Sequence, residues 1–144
     1  MNLSVEKITD KEGLEEAFKI RTKVFVEEQG VSSEDEKDQF DATASHFLAK
    51  KDGLPVGTAR WRFTDKGIKL ERFAVLSEAR GNGIGKVLVR AVLEDIGSHP
   101  EAHAKIKYLH AQLDAVSLYA HFGFEKVGEM FEECDILHFK MELA

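Results

Sequence analysis

The sequence predicts an α/β (α+β) fold: a mixed, mostly antiparallel central sheet of about seven strands with helices on both faces. Three observations support this. The apolar periodicities alternate in the order β-α-(α)-β-β-β-α-β-α-β-β. A glycine-rich stretch, Arg80-Gly81-Asn82-Gly83-Ile84-Gly85-Lys86, separates a strand-like run from a long amphipathic helical run. The chain has 144 residues, 43% hydrophobic and 32% charged, which suits one domain with its own core over residues 1–144.

Leu3 to Ile8 alternates apolar and polar residues, the pattern of a short strand, and Thr9 or Asp10 can cap the helix behind it. Leu14, Ala17, Phe18, Arg21, Val24 and Phe25 recur at helical spacing. The acidic stretch Ser32 to Asp41 reads as an exposed loop or short helical turn. His46–Lys50, the turn Asp52-Gly53 and Pro55–Phe63 form a hairpin pattern. Asp65-Lys66-Gly67 turns the chain into a further strand, Ile68–Val75. Val87, Leu88, Ala91, Val92 and Ile96 line one face of the helix that follows, which ends near Gly97 and Pro100. Ile106–Gln112 is the next strand and Ala115–Phe122 a short helix closed by Gly123. Phe124–Phe131 and Ile136–Leu143 close the sheet as an antiparallel pair.

The glycine stretch carries the first chemical signal. Glycines permit tight turning and close approach to peptide N–H groups. A helix N-terminus adds unpaired N–H groups at the positive end of its dipole. Together they form an anion site suited to phosphate. A P-loop is excluded, because Gly85-Lys86 is followed by Val87 and Arg80 stands where its first glycine should be. A dinucleotide fingerprint fails too, since its third glycine would fall on Lys86. A ligand-free glycine turn is the plain alternative.

Composition narrows the classes. A net charge of −6 argues against a nucleic-acid partner and mildly favours a cationic acceptor. No stretch has the length and apolarity of a membrane span, and no signal-peptide pattern opens the chain, so a cytoplasmic protein without a membrane partner is expected. The single cysteine, Cys134, cannot form an internal disulfide and reads as a buried bystander.

Arg80-x-x-Gly83-x-Gly85 resembles the pyrophosphate loop of the GNAT N-acetyltransferases, and Gln112-x-x-Ala115-x-x-x-Tyr119-x-x-x-Gly123-Phe124 resembles a second motif of that family. The element order matches the family's acyl-CoA N-acyltransferase fold along nearly the whole chain. The resemblance implies acetyl-CoA as donor, held between splayed strands 69–75 and 106–112. Phe73, Ala74 and Val75 would meet the pantetheine arm and thioester. Arg80, Gly81, Asn82, Gly83, Ile84, Gly85 and Lys86 would form the pyrophosphate loop, with Gln112 and Tyr119 beside the cofactor. Tyr119, a phenol still protonated at neutral pH, fits the general acid for the leaving thiolate. Glu71 ranks first as general base and His110 second; Asp114 reads instead as a helix cap.

Arg21-x-x-Val24-Phe25-Val26-x-Glu28-Gln29, then Glu36-x-Asp38-x-x-Asp41 and His46, resembles the small bacterial ElaA-like branch. By that resemblance Arg21, Phe25, Gln29, Asp38 and His46 border the acceptor pocket. His46 with Asp38 and Asp41 has no specific metal spacing, and no metal is expected. The branch commonly reads Gly-Ile-Pro-His before its last strand, whereas this chain has Asp135-Ile136-Leu137-His138, so a different loop shape is expected there. The expected activity is direct acetyl transfer to the primary amine of a small molecule within a ternary complex. A non-catalytic acyl-CoA-binding module and a protein or peptide acetyltransferase are the competing expectations. Dimerisation is frequent in this fold, making a homodimer a further expectation.

Overall fold

In the computed structural model, which describes residues 2–144, strand β1 (Leu3–Lys7) leads into helix α1 (Lys11–Arg21). The Asp10 side chain caps α1 by accepting from the Gly13 N–H at 2.8 Å. The helix then widens into a π-helical segment, Thr22–Glu28, and a short helix α2 (Ser33–Glu36) follows. Strands β2 (Ser45–Lys51), β3 (Leu54–Thr64) and β4 (Gly67–Val75) form a meander. Helix α3 (Ile84–Gly97), strand β5 (Lys107–Gln112), helix α4 (Val116–Ala120), and strands β6 (Glu125–Glu133) and β7 (Ile136–Leu143) complete the chain. The seven strands make one sheet in the order β1-β2-β3-β4-β5-β7-β6, antiparallel except for β4 against β5.

That parallel pair is where the sheet opens. β4 and β5 are in register only at Ile68–Lys107 and Lys69–Tyr108. Gly67 ties this end: at φ 138° its position lets Ile68 N–H donate to the Ile106 carbonyl at 2.9 Å, and a β-carbon there would lie 2.4 Å from that carbonyl oxygen. Beyond Lys69 the strands follow different partners. β5 pairs with β7 along its full length. β4 stays on β3 but carries a bulge, where Arg60 faces Glu71 and Thr58 faces Ala74. Arg72 takes φ 59° within it. An extra residue bends and twists its strand, so β4 leaves β5 and a cleft opens.

The two faces of the sheet are stabilised differently. On one, Ile84, Leu88, Val89, Val92 and Ile96 of α3 pack on Phe47, Trp61, Leu70, Leu109 and Met141. Burying each such side chain contributes about 1.5–3 kcal/mol. The other face has a small apolar core, Ile20, Val24, Leu48 and Ala74, beside a buried ionic network. Arg60, 1% exposed on β3, donates through Nη1 and Nη2 to Asp38 at 2.8 and 2.7 Å. It also donates to Asp41 at 2.6 Å and to Glu71 at 2.8 Å. Arg21, equally buried, donates to Glu36 and Asp41, both at 2.7 Å. Arg72 pairs with Glu36 and Asp38.

This corrects the expectation of an exposed acidic loop. Short helical turns form, but Glu36 is 2% exposed and Asp38 and Asp41 turn inward. Their cationic partners lie on α1, β3 and β4, far along the chain, so local charge density could not show the inward turn.

Removing Arg60 would leave Asp38, Asp41 and Glu71 each short of one hydrogen-bonded cation. Arg60→Met should lower unfolding free energy by about 3–5 kcal/mol, measured by urea titration. Acid should act on the same network. Burial tends to raise the Asp38 pKa, but the Arg60 hydrogen bonds and charge, with Arg72 behind them, hold it at about 2. A carboxyl lowered on folding stabilises the native state above its unfolded pKa, about 3.9, and loses that contribution as pH falls through its folded value. Stability should therefore decline between about pH 4 and pH 2, by roughly 1–2 kcal/mol from Asp38. An Asp38→Asn variant should show a shallower acid decline in pH-dependent denaturation.

Candidate active site

The splay creates a cleft of about 560 Å³, walled by β4, β5, the π-helical segment, the Arg80 loop, α4 and the β6–β7 hairpin. Its β4 wall has an open edge. Leu76 N–H donates to Val56 on β3, so by strand alternation Val75, and Phe73 two residues back, direct their peptide groups into the gap. The Val75 carbonyl confirms the direction by accepting from Arg80 Nε at 3.1 Å. Phe73, Ala74 and Val75 all line the cleft.

At one end lies the glycine loop. Gly81 and Gly83 have φ 82° and 81°, and a β-carbon on either would meet nothing within 4 Å. Gly83 is the N-cap of α3 and supplies no side-chain cap, so the first N–H groups of this 14-residue helix face outward as donors. Arg80, Gly81 and Gly85 line the cleft. Asn82 braces the loop by donating to the Ala79 carbonyl at 2.9 Å. Asn82, Gly83, Ile84 and Lys86 lie outside the cleft wall: Ile84 is a core side chain and Lys86 an exposed one, so these residues can contribute through backbone or loop shape only. Arg80 itself is clasped by Glu28 at 2.5 and 2.8 Å, a bidentate contact from the π-helical segment.

Tyr119 stands on the opposite wall, 6% exposed, edge-on to Phe73 at 5.6 Å and to Phe124 at 6.2 Å. Burial, with the charge of Asp114, raises its pKa well above the ordinary phenol value, so it stays protonated. Gly123, at φ 97°, turns the chain after α4 and returns buried Phe124 to the core. Gln112 bridges the cleft by donating to Gln29 Oε1 at 2.9 Å.

The acceptor-side expectations divide. Phe25 and Gln29 line the cleft, directed there by the π-helical widening. Arg21 and His46 do not line it. Arg21 is spent on Glu36 and Asp41. His46 donates through Nε2 to the Asp41 carbonyl at 2.9 Å, and burial lowers its pKa. Asp38 and Asp41 belong to the arginine network rather than to a ligand set.

Glu71 lines the cleft, but its surroundings make it a poor base. Burial tends to raise its pKa, yet Arg60, Arg62 and Lys69 outweigh that and lower it. Arg60 and Arg62 donate to a single oxygen at 2.8 and 2.7 Å. His110 has a different neighbour: its Nδ1 lies 3.1 Å from Glu133 Oε2. Asp114, expected as a cap, caps nothing, since the residue before α4 is Ala115 and makes no side-chain bond. Cys134 is exposed rather than buried, sitting with Asp135 at φ 53° and 62° in the two-residue β6–β7 turn. Arg72 and Glu133 also line the cleft and were not singled out by spacing; Glu28 and His138 line it too, and the sequence offered them only as members of the two branch motifs. Glu133 carried no usable signal, being one acid in an exposed-looking strand.

Comparison with known proteins agrees with this geometry. A sequence profile described as an acetyltransferase (GNAT) domain matches residues 7–144. A Bacillus subtilis protein named as a presumed acetyltransferase is 39% identical over 142 residues, covering 96% of this chain and 95% of its own. The crystal structure of Escherichia coli ElaA superposes with a TM-score of 0.85 at 29% identity over 100% of both chains. An acyl-CoA N-acyltransferase from Pseudomonas aeruginosa does so with a TM-score of 0.81 at 26% identity over 99% of both. The chain belongs to the GNAT acetyltransferase family, in its ElaA-like branch.

Proposed function

We propose that this protein is a cytoplasmic N-acetyltransferase that moves the acetyl group of acetyl-CoA directly to the primary amine of a small molecule. The observation that carries the reading is the joining of three features in one cleft. These are the free β4 edge at Phe73 and Val75, the N-terminus of α3 behind open glycines, and the buried phenol of Tyr119. The fit to the donor follows from donor chemistry. Pyrophosphate oxygens suit the outward N–H groups at Gly83–Gly85. The peptide-like pantetheine arm suits an unpaired strand edge. The Pseudomonas relative is itself an acyl-CoA N-acyltransferase.

In this reading the amine attacks the thioester carbonyl, whose developing negative charge is met by a β4 N–H. The carbon–sulfur bond breaks as the thiolate takes the Tyr119 proton. The amide nitrogen then gives up its extra proton, which restores the phenol. No side chain in the cleft needs to carry the acetyl group, consistent with transfer in a ternary complex.

Thiol release measured spectrophotometrically across a panel of primary amines should reveal activity; silence with every amine despite calorimetrically demonstrated CoA binding would exclude the enzyme. Tyr119→Phe should lower kcat by roughly 100-fold while the Kd for CoA stays within about twofold, since a phenol acting on the thiolate contributes little in the ground state. Unchanged turnover would remove the acid role. Gly83→Val should weaken CoA binding by at least about tenfold in calorimetry. The side chain would fill the space over the α3 N-terminus and would cost roughly 1–2 kcal/mol in backbone strain.

A further inference from the structure

The remaining chemical requirement is a group to take the acceptor's proton, because a primary alkylammonium, with a pKa of about 10.4, presents little free amine at neutral pH. Glu71 is unsuited, being held by three cations. Elsewhere in the cleft two titratable side chains are joined without a cation between them. His110 Nδ1 and Glu133 Oε2 are 3.1 Å apart, both residues line the cleft, and both retain solvent access.

The geometry orients this imidazole. An ionised carboxylate can only accept, so the Nδ1–H of His110 donates and, in the neutral ring, Nε2 carries the lone pair. Phe131 holds the ring edge-on at 5.1 Å, and Tyr108 lies 6.3 Å away on the same strand. Phe131 in turn stacks on His138 at 5.8 Å, whose Nδ1–H donates to the Ile136 carbonyl at 2.7 Å. The charged and titratable groups near the pair are Lys69 on β4, His138 on β7, and Lys140, the register partner of His110. The His110 hydrogen bond is the chief influence lowering the Glu133 pKa, ahead of opposing burial, so the carboxylate is ionised when it holds the ring.

We propose that His110 is the general base of acetyl transfer and that Glu133 is its positioning residue, fixing the imidazole with Nε2 free to accept the acceptor's proton. The assignment rests on the N-acetyltransferase reading above. One N–H proton of the ammonium passes to Nε2, giving neutral amine and imidazolium. The carbon–nitrogen bond then forms and the carbon–sulfur bond breaks, with the thiolate protonated by Tyr119 and the phenol restored by the amide nitrogen. Imidazolium returns its proton to solvent, and one proton is released per turnover, as the conversion of ammonium and thioester to amide and thiol requires.

The test combines kinetics with a readout independent of turnover. Nitrogen-15 NMR of histidine-labelled protein near neutral pH should show His110 as the Nδ1–H tautomer in wild type and a mixture in Glu133→Gln. His110→Gln should lower kcat about 100-fold at neutral pH, with the Kd of CoA within about twofold. Its deficit should shrink as pH rises toward the amine's own pKa of about 10, so the acidic limb of the kcat/KM profile should move up toward that value. Glu133→Gln should lose about tenfold in kcat, and Glu133→Asp should recover part of it. A His110→Gln enzyme that keeps its turnover, with the acidic limb where the wild type has it, overturns the base while leaving the acetyltransferase reading standing. A wild-type protein that binds CoA but releases no thiol with any amine overturns both.

Discussion

A single guanidinium organises one face of this molecule. Arg60 points from the centre of β3 into a face with few apolar side chains, and it is almost wholly shielded from water. A buried cation is tolerable only when opposite charges and hydrogen bonds surround it. Asp38 and Asp41 provide these from the segment after α2, and Glu71 from the neighbouring strand. Satisfying Arg60 therefore pins the segment between α1 and β2 onto the sheet, which in turn places Asp35 and Glu36 at the cleft. Arg21 and Arg72 extend the same network from α1 and from the β4 bulge. A carboxylate engaged this firmly is a poor proton acceptor, and the base proposed above is instead a histidine on the other side of the cleft.

The second constraint is the divergence of two parallel strands. β4 is committed to β3 and β5 to β7, and only two residue pairs join them. The resulting cleft has chemically distinct ends. One end presents peptide donors, the α3 N-terminus and Arg80. The other presents Glu133, His110 and His138 from strands of the C-terminal hairpin and β5. The π-helical segment spans between them: Glu28 clasps Arg80, and Gln29 accepts from Gln112. An anion arriving at the loop would compete with Glu28 for the same guanidinium, so the glycine-loop end and the π-helical segment share one charged contact.

Much of this was readable along the chain because it depends on neighbours in sequence. The strand, glycine loop and helix from Gly67 to Gly97 follow from periodicity and from the backbone freedom of Gly81 and Gly83. Tyr119, Gly123 and Phe124 act within one turn and the return to the core. Residues that depend on distant partners were misplaced. Arg21 and His46 were expected to face an acceptor and are engaged inside the fold. Cys134 was expected in the core and sits at an exposed turn.

The sequence by itself determined the family fold, the position of the glycine loop before α3 and the tyrosine opposite it, since local spacing and backbone propensity encode each of these. Only the tertiary structure decided which charged groups remain available for chemistry. Glu71 and Glu133 are equally plain as letters in the chain. The first lies among Arg60, Arg62 and Lys69, and the second beside His110. Electrostatic neutralisation depends on distance in space: Arg60 and Arg62 reach Glu71 across the β3–β4 hairpin, and His110 on β5 meets Glu133 on β6.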